Sequence, residues 1–133
     1  MLGELNLNVL IKSLSAKLVD GVFVFVTLPN SDCPAGLKPR MVFREAEGTT
    51  LIVLQAEAEA YHLVYEFPCR MITLNVHSSL EAVGFIALIA SELAKHNMGV
   101  NPVSGFFHDH LFVPLGREQD AMKVLEELAE NVE

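Results

Sequence analysis

The sequence predicts an α+β fold made of two similar halves, residues 1–67 and 68–133, each joining an antiparallel hairpin to helices. Three observations carry this. Written as elements the chain reads α-β-(β-β)-α and then β-α-β-β-α. Two pairs of short strand patterns are split by tight turn signals, the mark of hairpins. The order also repeats: Asp20-Gly21-Val22 answers Met98-Gly99-Val100, and Thr49-Thr50-Leu51-Ile52-Val53-Leu54 answers Asp109-His110-Leu111-Phe112-Val113-Pro114, with residues 29–40 as an insertion in the first copy.

Leu7, Leu10, Ile11, Leu14 and Leu18 share one helical face and predict a helix over residues 5–19, ended by Asp20-Gly21. Residues 22–28 are β-branched and aromatic on both faces, as in a strand with neighbours on each side. Residues 29–40, which include Asn30, Ser31, Asp32 and three prolines, are a long loop. Residues 41–44 and 49–54 form a hairpin around the turn 45–48, and a short helix spans about 55–63. Ile72, Leu74 and Val76 alternate with Thr73, Asn75 and His77 as a half-buried strand. Ser78 followed by Glu81 reads as a capping box, which starts a helix near Leu80 with Leu80, Val83, Ala87, Ala90 and Leu93 inward. Asn97 and Gly99 suit its C-terminal end. Residues 100–107 form a strand whose Pro102 belongs at an edge or bulge, His108-Asp109 is the turn, and the strand returns from His110 to Leu115. Ala121, Leu125, Leu128 and Val132 define the buried face of a last helix, opposite a solvated run of Glu118, Asp120, Lys123, Glu126, Glu127 and Glu130.

A net charge of -8 and a pI near 5.0, without any basic stripe, argue against nucleic acid and anionic membrane as partners. The longest apolar run, residues 82–90, falls far short of the roughly 20 residues that cross a bilayer. The start lacks a positive region followed by an apolar one, so no signal peptide is expected. Cys33 and Cys69 without a CxxC pair suit reduced thiols, and the expected setting is the cytoplasm.

Residues 74–83, Leu-Asn-Val-His-Ser-Ser-Leu-Glu-Ala-Val, together with the turn Asn97-Met98-Gly99-Val100-Asn101, resemble an ACT domain, a βαββαβ ferredoxin-like module. Ser78-Ser79 stands where that family usually has a Pro-Gly or similar pair. The stretch 105–113, Gly-Phe-Phe-His-Asp-His-Leu-Phe-Val, makes the whole chain similar to small bacterial proteins of two tandem ACT-like halves. The resemblance implies tandem ferredoxin-like halves with antiparallel sheets and helices packed on one face. It also implies a regulatory, non-catalytic module that binds an amino acid or similar small molecule at a module or subunit interface, with no cofactor. The last strand of the second half is missing after the final helix, and a sheet shared between the halves would supply it.

The turn at the helix start is the candidate ligand site. Helix amides and the positive end of the dipole there can bond a carboxylate without a dedicated cation. Its residues are Val76, His77, Ser78, Ser79, Leu80, Glu81 and Gly84, and Arg44 is a further candidate as a carboxylate clamp. Two other readings compete. A metal- or thiol-dependent enzyme would use His77, His108, His110 or Cys33, but no full metal-ligand set or base beside Cys33 is legible. An oligomerising domain would act through a protein partner. The apolar run 82–90 favours self-association, with a homodimer as the default.

Overall fold

The computed structural model of the chain describes residues 3–29 and 33–131. In order the elements are α1 (Leu7–Lys12), β1 (Ala16–Leu18), β2 (Phe23–Leu28), β3 (Met41–Arg44), β4 (Thr49–Leu54), α2 (Gln55–Ala60), β5 (Glu66–Leu74), α3 (Phe85–Ala94), β6 (Asn101–Ser104), β7 (Asp109–Pro114) and α4 (Glu118–Glu130). They form two compact units: Gly21–Cys69, and the segment up to Asp20 joined with the segment from Arg70 onward.

In the first unit β2 lies between β4 and the start of β5, with β3 beyond β4, as its two-sided apolar pattern predicts. Antiparallel pairing runs from Phe23↔Leu54 to Leu28↔Thr49, and the predicted hairpin holds Met41↔Ile52 to Arg44↔Thr49. The start of β5 joins at Phe23↔Cys69 and Phe25↔Glu66 with a bulge between. There Phe67 takes φ 57°, which accommodates Pro68 inside a strand. Val24, Val26, Leu51 and Val53 meet Ala58 of α2 and Leu37 of the 29–40 segment in one core. Asn30, Ser31 and Asp32 of that predicted loop lie outside the described residues.

In the second unit the end of β5 lies between β1 and β7, and β6 pairs with β7 from Asn101↔Phe112 to Ser104↔Asp109. Pro102 sits on this edge strand, where its missing N–H costs no ladder bond. Leu10 and Ile11 of α1, Phe85, Ile89 and Leu93 of α3, and Ala121, Val124 and Leu125 of α4 pack on Ile72, Leu74, Leu111 and Val113. The helices thus cover one sheet face.

Several sequence expectations are corrected here. The helix expected over 5–19 is only Leu7–Lys12; Ser13 turns its hydroxyl back to the Val9 carbonyl (2.7 Å), which satisfies that carbonyl locally at the helix end. Ala16–Leu18 then pairs with β5 as Ala16↔Leu74, Lys17↔Thr73 and Leu18↔Ile72. The inward residues were read correctly, since Leu7, Leu10, Ile11, Leu14 and Leu18 all join the core, but two periodicities deliver them. β5 starts at Glu66 rather than after Cys69, and the 55–63 helix ends at Ala60. Asp109 belongs to β7, leaving the turn to residues 105–108, and the strand before it covers only Asn101–Ser104. On α4, Val124 is buried alongside Ala121 and Leu125, Leu128 is half-buried, and Val132 lies outside the described residues. Glu118 leaves the solvated face to pair with Arg70 at 3.2 Å, both side chains being less than one-fifth exposed (16% and 19%).

Cys69 is fully buried and its thiol donates to the Phe23 carbonyl at 3.3 Å. Burial pushes that thiol from 9.0 up to about 12. The folded state therefore holds the proton more tightly than the unfolded chain. This contribution to stability is full below about pH 9 and is lost as the pH rises toward 12. We expect the unfolding free energy of the native protein to fall more steeply above pH 9 than that of Cys69→Ala in urea titrations. Parallel curves for the two proteins would contradict a raised Cys69.

Candidate functional site

The connection from β5 to α3 is irregular over residues 75–84, and it forms one side of a cleft of about 240 Å³. Ser78, Ser79, Leu80, Ala82, Gly84, Phe85, Ile86 and Ala87 line it, with Ser104 and Asp109 from the β6–β7 hairpin. All of these belong to the second unit.

The capping box is not formed. The buried Ser78 donates its hydroxyl to Asp109 Oδ2 at 2.9 Å, and Ser79 Oγ accepts from the Glu81 amide at 3.1 Å. The carboxylate is a strong, charge-assisted acceptor, and the Ser78 hydroxyl is oriented to it rather than to its own turn. The local Ser79 turn replaces the first helical turn expected at Leu80. The helix begins instead at Phe85, after Gly84 at φ 91°, a left-handed conformation that favours glycine. The inward face becomes Phe85, Ile89 and Leu93, while Leu80 and Val83 stand 67% and 85% exposed.

This shift determines the cleft's electrostatics. No side chain caps the start of α3, and its first residues Phe85, Ile86 and Ala87 line the cleft, so the positive end of the helix lies beside it. Across from them the Asp109 carboxylate, 6% exposed, supplies the negative group. The cleft is amphoteric.

Of the candidates read from the sequence, Ser78, Ser79, Leu80 and Gly84 line this cleft. Val76 is buried in the core beneath. His77 turns toward Phe106 and Phe107, with ring centroids at 6.3 and 5.6 Å. Glu81 is exposed and meets the loop through its amide. Arg44 lies in the other unit, exposed at the end of β3. Sequence reasoning missed Asp109 and Ser104. The repeat held the signal, because Asp109 answers Thr49, the first residue of a strand. His108 accepts from the Gly105 amide through its carbonyl, and His110 Nδ1 is bonded to Thr73 Oγ1 at 3.0 Å. Among the described residues no three His, Cys, Asp or Glu side chains gather as a metal site.

Ser78→Ala is expected to cost about 2 kcal/mol, because it leaves Asp109 buried without its hydroxyl donor. Denaturant titration checks this. A loss within the ~0.5 kcal/mol of an ordinary surface change would mean that the hydrogen bond carries no weight.

Comparison with known proteins places these features in context. Family models described as ACT domain match residues 2–70 and residues 66–127. A crystal structure of a Vibrio cholerae protein of unknown function, described as a possible transport protein, is similar at 37% identity and TM-score 0.83, covering 92% of this chain and 95% of that one. An Agrobacterium tumefaciens protein matches at 16% identity and TM-score 0.75 over 87% and 89% of the chains. The regulatory subunit of aspartate kinase from Thermus flavus matches at 9% identity and TM-score 0.61 over 86% and 95%. The latter two likenesses concern the fold alone. No curated protein sequence matches the chain.

Proposed function

This chain belongs to the ACT-domain family, and from that premise we propose that it is a non-catalytic regulatory module that binds a small amino acid in the cleft at the start of α3. The observation that carries the reading is the pairing, within one cleft, of the uncapped amides of α3 with the buried Asp109 carboxylate. A zwitterion satisfies both: its carboxylate bonds the amides of residues 85–87 and its ammonium faces Asp109. A simple anion would meet Asp109 with like charge, and a simple cation would meet the helix dipole. Size points the same way. About 240 Å³ is below the roughly 300–1,000 Å³ of pockets for drug-sized ligands and suits a metabolite of amino-acid size. The fold is shared with the regulatory subunit of a Thermus flavus aspartate kinase, and a regulatory role is in keeping with that.

We divide the halves at 67/68, in keeping with family matches that overlap only over residues 66–70, and place the protein in the cytoplasm on its two free cysteines. Thermal shift with the common L-amino acids at millimolar concentration tests the ligand reading. At ~100 times the dissociation constant the ligand adds about 2.7 kcal/mol to stability. Asp109→Asn should remove that shift for the amino acid, while the matching deaminated acid should shift neither protein. Failure of every amino acid to stabilise the native chain would overturn the reading.

A homodimer is the partner state the surface favours. Leu80, Val83, Phe106 and Phe107 of the second unit are 67%, 85%, 59% and 60% exposed, an unusual share of large apolar side chains to leave in water. Sedimentation velocity at tens of micromolar should give twice the chain mass, and a monomer there would count against it.

A further inference from the structure

The loop that carries Ser78 and Ser79 has little regular structure of its own, so something must fix where it stands. Within it Ala82 N bonds Ser79 O at 3.0 Å and Glu81 N bonds Ser79 Oγ, both local contacts. Among the described residues, the distant hydrogen bonds of His77, Ser78 and Ser79 go to two places. One is Asp109, through Ser78. The other is the first described stretch of the chain: Glu4 N donates to His77 O at 2.7 Å, and Ser79 N donates to Glu4 O at 2.9 Å, a parallel bridge of Glu4 with Ser78.

Gly3 makes this bridge sterically possible. A Cβ there would lie 2.5 Å from the Ser78 carbonyl carbon, 2.6 Å from Ser79 N and 2.7 Å from His77 O. These are backbone atoms and cannot swing aside as a side-chain tip can. Ordinary contact begins near 3.4 Å, so the two backbones would have to part by about 1 Å. Farther along, Leu7 Cδ2 lies 3.6 Å from the point where a Cβ on Gly84 would stand. The strap of residues 3–6, continued by Leu7 at the start of α1, therefore follows the loop from His77 to the start of α3.

We propose that Gly3 and Glu4 are positioning residues of the cleft: their backbone fixes the Ser78-Ser79 peptide, and so sets the ligand affinity of a site to which neither contributes a lining side chain. The ligand part rests on the amino-acid reading above. The Ser79 amide is already occupied by Glu4 O, so this amide holds the loop and the amides of α3 are left for a ligand. Binding and strap closure are then linked in both directions, and a ligand that tightens the loop must also protect the Glu4 amide.

The test uses the full chain with Gly3→Ala, which forces the backbones apart, and Glu4→Pro, which deletes the donor to His77 O without adding a Cβ at Gly3. Asn8→Ala, on the exposed side of α1, is the control. Residue-resolved hydrogen exchange should show the Ser79 amide exchanging at least roughly tenfold faster in both strap variants and unchanged in the control, with α4 and β7 amides unaffected. Unchanged Ser79 exchange in both variants overturns the strap. Calorimetric titration at 25 °C, where each protein is folded by circular dichroism, uses whichever L-amino acid stabilises the native chain. Binding about tenfold weaker in both strap variants is expected, and equal affinity overturns the positioning role even where exchange has risen. If no L-amino acid binds the native chain, the amino-acid reading fails and takes the positioning role with it, while the exchange data still decide whether the strap holds the loop.

Discussion

The pairing of β1 with β5 is the constraint from which the second unit follows. No strand follows α4 among the described residues, yet the edge of β5 that carries Ile72, Thr73 and Leu74 needs a neighbour to bond its amides and carbonyls. Residues 16–18 fill that place, and two flanking bonds extend the ladder: Val19 N to Met71 O at 2.9 Å and Asn75 N to Ser15 O at 2.7 Å. Ahead of residues 16–18 the described chain forms one short helix. That helix, α1, lies in the same core as α3 and α4 and brings residues 3–7 alongside the loop after β5. The missing strand and the strap on the ligand loop are thus two ends of one segment.

The two halves are the same construction with one difference that decides where a site can form. β4 and β7 have the same alternation of buried and half-buried positions, and their hairpins close alike, with Glu45 N on Gly48 O at 2.8 Å and Gly105 N on His108 O at 2.9 Å. In each unit the strand following the hairpin turn sends alternate residues into the core. Between the first and second strands of the pattern, however, the second unit has α3 and the first has the 29–40 segment, which sends Leu37 into the core. No helix start faces the hairpin in the described part of the first unit. Where Asp109 heads β7, the buried Thr49 heads β4. The duplication supplied the frame twice, and the helix with its facing carboxylate occurs once.

Most of this frame was legible because its signals are local and redundant. The hairpin 41–54 needs only β-rich runs around Glu-Ala-Glu-Gly, and the last helix needs only its 3.6-residue period. Pro102 forced its strand to an edge. What failed depended on partners distant in sequence. Leu14 and Leu18 fit a helical face, and nothing near them states that residues 16–18 are wanted by Ile72 to Leu74. Ser78 and Glu81 have the right spacing for a cap, and nothing near them states that Asp109 will be buried within reach. The turn at residues 77–80 was read as a helix start, whereas the chain stays irregular to Gly84 and the helix begins at Phe85. Gly84 was the better marker, since a glycine just before an uninterrupted apolar run marks the true helix start.

The Ser78–Asp109 contact also bears on how the proposed zwitterion would be held in a cleft of so acidic a protein. With a net charge of -8, the surface as a whole repels free anions. The helix amides offset this only at short range, because the dipole effect falls away within the first turn. A carboxylate is therefore held only if something brings the molecule to the cleft and keeps it oriented there. On the proposed reading Asp109 would do both, attracting the ammonium and, being nearly buried, holding it in one place. Its own burial is tolerable because Ser78 donates to Oδ2, which leaves acceptor capacity on the carboxylate for a second donor. A serine at 78 thus contributes more to such a site as a tether for Asp109 than as a helix cap. A proline or glycine there could not take its place, because neither carries a hydroxyl to bond the carboxylate.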